Sequence, residues 1–123
     1  MHEFLDIIEK YRPFLEQEIN KYLNLRIHNI SELTIEEADS FHQKLYSEYP
    51  NRGGKYLRSG LLILAAESLG LPPEKAYLTG AAIEISQSWL LIHDDLEDDS
   101  VQRRGEPTLH LMYSLPLATN AGD

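Results

Sequence analysis

Trp89-Leu90-Leu91-Ile92-His93-Asp94-Asp95-Leu96-Glu97-Asp98-Asp99 joins apolar and acidic sequence without a break. An apolar run passes into five acids within six positions, and Arg103-Arg104-Gly105 follows. Upstream, an apolar-rich stretch from about 76 to 92 is interrupted only by polar residues such as Glu84, Ser86 and Gln87. Pro73 or Glu74 therefore opens a long helix that carries the acids near its C-terminal end. Acids there face the negative end of the helix dipole. Like charges four residues apart add repulsion, and each such term is worth about a few tenths of a kcal/mol. All point against stability, and local rules tend to be broken at functional sites. A divalent cation that neutralises the acids and bridges them to phosphates held by the arginines resolves the conflict. The plainer alternative is a solvated acidic face. An EF-hand loop is excluded, because the alternating acids, central Gly and terminal Glu are missing at the required spacing.

On an ideal helix Asp94 and Asp98 sit one above the other, roughly 6 Å apart along the axis. Carboxylates so placed suit magnesium, which is usually held by one or two carboxylates plus substrate phosphates. Gln87 precedes Asp94 by seven residues and is nearly in line with it, with Ile83 and Leu90 on the same face. It is positioned to reach a ligand beneath the carboxylates, or it bonds locally or to water.

The remainder reads as all-α, with no alternating strand pattern and no internal repeat. Phe4, Ile7, Ile8, Tyr11, Leu15, Ile19, Tyr22 and Leu23 form an amphipathic stripe over residues 3–24, which Pro13 kinks or divides. Thr34-Ile35-Glu36-Glu37 has the form of a capping box for a helix reaching about Tyr49. Pro50-Asn51-Arg52-Gly53-Gly54 breaks that helix. Leu57 to Leu69 reads as a buried helix ended by Gly70. Glu106-Pro107-Thr108 begins a further segment, and residues 117–123 look like the opening of another helix.

The chain has 123 residues, 42% of them apolar, and a formal charge of −9. That is one domain or less, with enough apolar content for a core. The charge argues against general nucleic-acid binding. The absence of cysteine excludes disulfides and thiolate metal sites and leaves oxygen ligands, which favour magnesium or calcium. The start lacks a signal-peptide pattern, and residues 76–92 fit a buried helix better than a membrane span. A soluble, cytoplasmic protein is the expectation.

Gly53-Gly54-Lys55-Tyr56-Leu57-Arg58 places two cations at the start of an apolar helix. A sharp glycine turn into a helix N-terminus suits a phosphate. It is not a P-loop, because the glycine spacing is wrong and no Ser or Thr follows the Lys. Surface lysines after glycines are common, and Arg103-Arg104 alone reads equally as a solvated pair. Yet four of the eleven cations fall in these two short segments.

Together these motifs resemble the trans-isoprenyl diphosphate synthases, the polyprenyl synthetases that include farnesyl and geranylgeranyl diphosphate synthases. Asp94-Asp95-Leu96-Glu97-Asp98 looks like their first aspartate-rich motif. Arg103-Arg104-Gly105 follows at the family's usual offset, and Glu106-Pro107-Thr108-Leu109-His110 continues the likeness. Gly53-Gly54-Lys55-Tyr56-Leu57-Arg58 resembles the Gly-Gly-Lys-x-x-Arg motif. The likeness is continuous from about 53 to 123 and faint before.

The resemblance implies the N-terminal part of an isoprenoid-synthase helical bundle: residues 1–123 as a partial domain without the half that bears the second aspartate-rich motif. It implies that Asp94 and Asp98 bind Mg2+ holding an allylic diphosphate, that Asp95 supports them, and that Arg103 contacts that diphosphate. It further implies that Lys55, Arg58 and Arg104 hold isopentenyl diphosphate, and that Gln87 touches it as well. Trp89, with Leu90 beside it, forms the floor of the chain-length pocket, implying a product of fifteen or twenty carbons; the alternative is that Trp89 is a core aromatic. The resemblance also implies a homodimer, and a 123-residue chain inactive alone. A non-catalytic regulatory subunit, an acidic helical interaction module and a terpene cyclase are the competing readings. The intact acids and arginines argue against the first, and the Gly-Gly-Lys segment against the last.

Overall fold

A computed structural model describes residues 2–24 and 36–123, with side chains at 4–24 and 40–123. The described residues form α1 (His2–Glu9), α2 (Arg12–Leu23), α3 (Glu36–Asn51), α4 (Leu57–Ser68), α5 (Glu74–Glu97), a hairpin of β1 (Gln102–Arg103) and β2 (Glu106–Pro107), α6 (Leu109–Met112) and α7 (Leu115–Gly122). The expected all-α class holds. Two compact units share the chain: Met1–Tyr22 with Gly53–Gln87, and Leu23–Arg52 with Ser88–Asp123.

In the first unit, Pro13 divides the N-terminal stripe as expected, but the break falls ahead of it, at Lys10 and Tyr11. A proline ring clashes with the carbonyl four residues back, which here belongs to Glu9, so α1 stops there. The buried stripe is narrower than the pattern suggests. Ile8, Tyr11, Leu15 and Ile19 are buried, whereas Phe4, Ile7 and Tyr22 are exposed. α4 is likewise buried along one line only, through Ser59, Gly60 and Ile63, with Leu57 and Leu61 exposed. Its end follows the sequence signal. Gly70 (φ 81°) is left-handed, its N–H donates to the Glu67 carbonyl at 2.9 Å, and the Leu71 N–H donates to that of Ala66 at 3.0 Å. That is the Schellman pattern.

α5 begins and ends where the sequence places it. Its buried positions, Ala76, Gly80, Ala81, Glu84, Ser88, Ile92 and Asp95, are mostly small or polar, while Leu78, Trp89 and Leu90 are exposed. The expected buried helix over 76–92 is thus buried along one line of positions only. Among the described residues no helix is long and apolar enough to cross a membrane.

The second unit closes around Leu45, Tyr49, Ile92, Leu109, Ala118 and Ala121, with Leu91, Leu96, Tyr113 and Leu117 packed against them. Each fully buried large side chain contributes about 1.5–3 kcal/mol. α3 continues through Pro50 to Asn51 rather than stopping at Tyr49. In the last turn the missing proline N–H forfeits one intrahelical bond, and left-handed Gly53 (φ 67°) then turns the chain. The capping box at Thr34 to Glu37 begins outside the described residues. The hairpin is a feature the helical reading missed. Gln102 pairs with Pro107 and Arg103 with Glu106, around Arg104 (φ 56°) and Gly105 (φ 83°). Two successive positive φ values in a two-residue loop are the type I′ signature. The final helix, α7, bears out the expectation at residues 117–123, and the Ser114 hydroxyl caps it by accepting from the Leu117 N–H at 3.4 Å.

Close helix approach in the first unit depends on two glycines. A Cβ at Gly60 would lie 2.6 Å from Ile8 Cγ2, and one at Gly80 would lie 2.8 Å from Leu15 Cδ2. On an exposed helix Gly→Ala gains about 1 kcal/mol. Here overpacking reverses the sign, so Gly60→Ala is expected to destabilise by about 1–3 kcal/mol in a urea titration.

Candidate functional site

The acidic end of α5 is built in the second unit. The Asp98 N–H still donates to the Asp94 carbonyl at 2.9 Å, and the Ser100 N–H reaches back to the Asp95 carbonyl at 3.0 Å. Between them Asp99 is left-handed, at φ 49°. This Schellman-type closure, formed without glycine, ends the helix at Glu97 and leaves Asp98 at its C-cap.

The acids do not share one environment. Asp94, Glu97, Asp98 and Asp99 are exposed, but Asp95 is 1% exposed. Its Oδ2 accepts from the Tyr49 hydroxyl at 2.5 Å. Its Oδ1 accepts from Arg103 Nε at 3.0 Å and also from Arg103 Nη2. A solvated acidic face does not describe this residue. The same Arg103 Nη2 lies 3.6 Å from Asp94 Oδ2, on a side chain 58% exposed. Arg103 thus folds back along α5, anchored on a buried carboxylate and adjoining an exposed one.

These contacts shift two groups. Burial first, and then the bond to Asp95, push the Tyr49 phenol up to about 12. The Asp95 bond also raises the Arg103 guanidinium above its usual range, with burial opposing. Tyr49 is therefore a neutral donor and Arg103 a permanent cation throughout physiological pH.

Residues that sequence reasoning passed over complete the arrangement. The Tyr49 hydroxyl also accepts from the Leu109 N–H at 3.2 Å, and the Tyr49 carbonyl accepts from Arg104 Nη1 at 2.9 Å. Arg52 Nη1 donates to the carbonyls of Arg103 at 3.1 Å and Pro107 at 2.9 Å. The only sequence signal was a polar-tipped aromatic on the apolar line of α3, and it carries no partner's number.

In the first unit, Lys55 and Arg58 are exposed at the start of α4. Its N-cap residue, Tyr56, is left-handed at φ 49° and offers no side-chain cap. Glu84 compensates from α5. The Ser59 N–H donates to Glu84 Oε1 at 3.3 Å and the Ser59 hydroxyl donates to the same oxygen at 2.7 Å, both in buried surroundings. An acid at a helix N-terminus is favourably placed. Gln87 is half-buried in the same unit. Trp89 and Leu90, in the second unit, are 39% and 63% exposed, so Trp89 is not a core aromatic here.

Among the described residues no three His, Asp or Glu side chains converge as a metal cage. Two exposed carboxylates one helical turn apart, with no sulfur or imidazole between them, still fit a hard cation that takes its remaining ligands from phosphate oxygens and water.

The sequence profile of the polyprenyl synthetase family matches residues 39–123. The chain belongs to this family. It is 36% identical over 123 residues to a short chain isoprenyl diphosphate synthase of Methanothermobacter thermautotrophicus, covering 100% of this chain and 34% of that protein. It is 40% identical over 109 residues to a geranylgeranyl diphosphate synthase of Saccharolobus solfataricus, covering 86% of this chain and 31% of the relative. A geranylgeranyl pyrophosphate synthetase structure from Geoglobus acetivorans superposes with a TM-score of 0.79 at 31% identity, over 95% of this chain and 35% of that one. The chain thus spans about a third of the length of the curated relatives it matches. The fold seen in the described residues is the all-α one that the motifs imply.

The Tyr49 shift has a sign that can be checked. An unfolded tyrosine loses its proton near 10.0, whereas Tyr49 holds it to about 12 in the folded protein. Between those values the unfolded state binds fewer protons, so stability falls as pH rises. The contribution, roughly 2–3 kcal/mol, is whole below pH 10 and lost as pH passes 12. Urea midpoints measured across that window are expected to fall less steeply for Tyr49→Phe than for the parent protein.

Proposed function

We propose that these residues serve a trans-prenyltransferase that condenses an allylic diphosphate with isopentenyl diphosphate, giving a short-chain product such as farnesyl or geranylgeranyl diphosphate. The observation that carries this reading is the division of labour among the acids. Asp95 is buried and consumed by Tyr49 and Arg103, which leaves Asp94 and Asp98 exposed at the helix end beside a permanent cation. Asp94 and Asp98 would hold Mg2+, and Arg103 would turn its charge to the allylic diphosphate. Magnesium, when bound, supplies charge neutralisation for the departing diphosphate.

The chain's own residues supply the rest. Arg103 and the exposed α5 carboxylates orient the allylic diphosphate so that its carbon–oxygen bond can break heterolytically. The guanidinium gains interaction as negative charge grows on the leaving group. The isopentenyl double bond then attacks the allylic cation, and the proton lost passes to the released diphosphate. The resemblance assigns Lys55, Arg58, Gln87 and Arg104 to isopentenyl diphosphate, by sequence position. Apolar helix faces keep water from the cation, which it would trap. Exposed Trp89 and Leu90, one turn before Asp94, are the chain-length residues of this proposal, and the working assembly is a homodimer in the cytoplasm.

Calorimetry with inorganic diphosphate or geranyl diphosphate is expected to show binding only when magnesium is present. Asp94→Asn and Asp98→Asn should each weaken it more than about tenfold, or about 1.4 kcal/mol. Magnesium-independent or absent binding would favour an acidic interaction module instead. By themselves the 123 residues are expected to bind without elongating, as measured by incorporation of labelled isopentenyl diphosphate. In an active enzyme containing them, Trp89→Ala should shift the product toward longer chains on chromatography.

A further inference from the structure

We infer that the end of α3, with Arg52 directly after it, is the positioning element for the two arginines of the hairpin, and that Arg52 is the residue through which it acts. The inference uses the diphosphate reading only in giving Arg103 and Arg104 a ligand. β1 and β2 are two residues each, and even longer isolated hairpins are marginal in water. Something outside the hairpin must hold it.

Arg52 does so across both strands. Its Nη1 donates to the Arg103 carbonyl on β1 and to the Pro107 carbonyl on β2. Nη2 pairs with Glu48 Oε1 at 3.3 Å, one helical turn back, and the guanidinium carbon lies 4.8 Å from the Tyr49 ring centroid. The side chain is only 6% exposed, and its Nε is buried without a hydrogen-bond partner. Burying a cation with one bond unmade is a poor route to stability. Its presence makes sense if the position it imposes on the hairpin is what matters.

Tyr49 completes the grip from the last turn of α3, three residues earlier. Its hydroxyl fixes Asp95, which fixes the Arg103 fork, and its carbonyl receives Arg104 Nη1. That carbonyl also accepts from the Arg52 N–H at 3.3 Å, so Arg104 takes its second acceptor site, at the helix end where side-chain donors commonly bind. Neither Arg52 nor Tyr49 needs to touch a substrate. They set where two cations stand.

Hydrogen exchange and a double-mutant cycle test this together. In Arg52→Ala, amides of residues 100–108 are expected to exchange faster while those of α4 are unchanged. The same variant should weaken magnesium-dependent binding of inorganic diphosphate about tenfold in the parent background. In an Arg103→Ala, Arg104→Ala background it should cost less than about twofold, since coupled residues are non-additive. Arg52→Lys keeps the charge without the planar fork and should loosen the hairpin as well. Unchanged hairpin exchange in Arg52→Ala, full rescue by lysine, or an equal loss in both backgrounds would each overturn the inference. If the parent protein binds no diphosphate, the functional reading fails, while the exchange experiment still decides whether Arg52 positions the hairpin.

Discussion

A carboxylate withdrawn from water at residue 95 is the constraint around which the second unit is organised. Burying one ion costs several kcal/mol even after relaxation, and only well-formed partners return it. Asp95 has them in Tyr49 and Arg103, one donated from α3 and one from the hairpin. Satisfying this one side chain therefore fixes three elements at once. Tyr49 must point inward from α3, the chain after α5 must fold back, and the guanidinium must lie along the helix rather than out in solvent. The exposed acids on either side inherit their placement from that arrangement.

Much of the fold was legible because it rests on local chemistry. The end of α4 and the start of α5 followed from Gly70 and from Pro73 and Glu74, whose effects reach only a turn or so along the chain. Stripe widths were less legible. Periodicity marks which residues share a face, but not how much of it a neighbour covers, so Phe4, Ile7 and Tyr22 belong to the amphipathic stripe and are nonetheless exposed. The hairpin escaped for a different reason. Asn-Gly or Asp-Gly announces a type I′ turn, whereas Arg104-Gly105 does not, since arginine seldom adopts positive φ. Its geometry is held from outside, by Arg52.

The candidate site divides along the same line. Acid spacing on a helix identified Asp94 and Asp98 as a matched pair, and the helix supports that. What periodicity could not reveal was that the neighbouring Asp95 lies in a different medium. Burial depends on what packs over a residue, and its partner Tyr49 sits 46 positions away. Glu84 is a parallel case. On a helix wheel it interrupts an apolar stretch, yet in the first unit it serves the start of α4 by accepting from Ser59. Polar residues that looked like blemishes in apolar runs turn out to be joints between helices.

The closure of α5 by Asp99 carries a trade-off of its own. Glycine would adopt φ 49° freely, whereas a side chain there costs roughly 1 kcal/mol or more of backbone strain. Aspartate tolerates the conformation better than most residues and adds a negative charge to the helix terminus. A lineage selected for heat resistance would be drawn to glycine at 99 and would thin its local anionic field by doing so. One selected for a strong field would keep the acid and accept the looser ending. Backbone comfort and electrostatic reach compete for a single position.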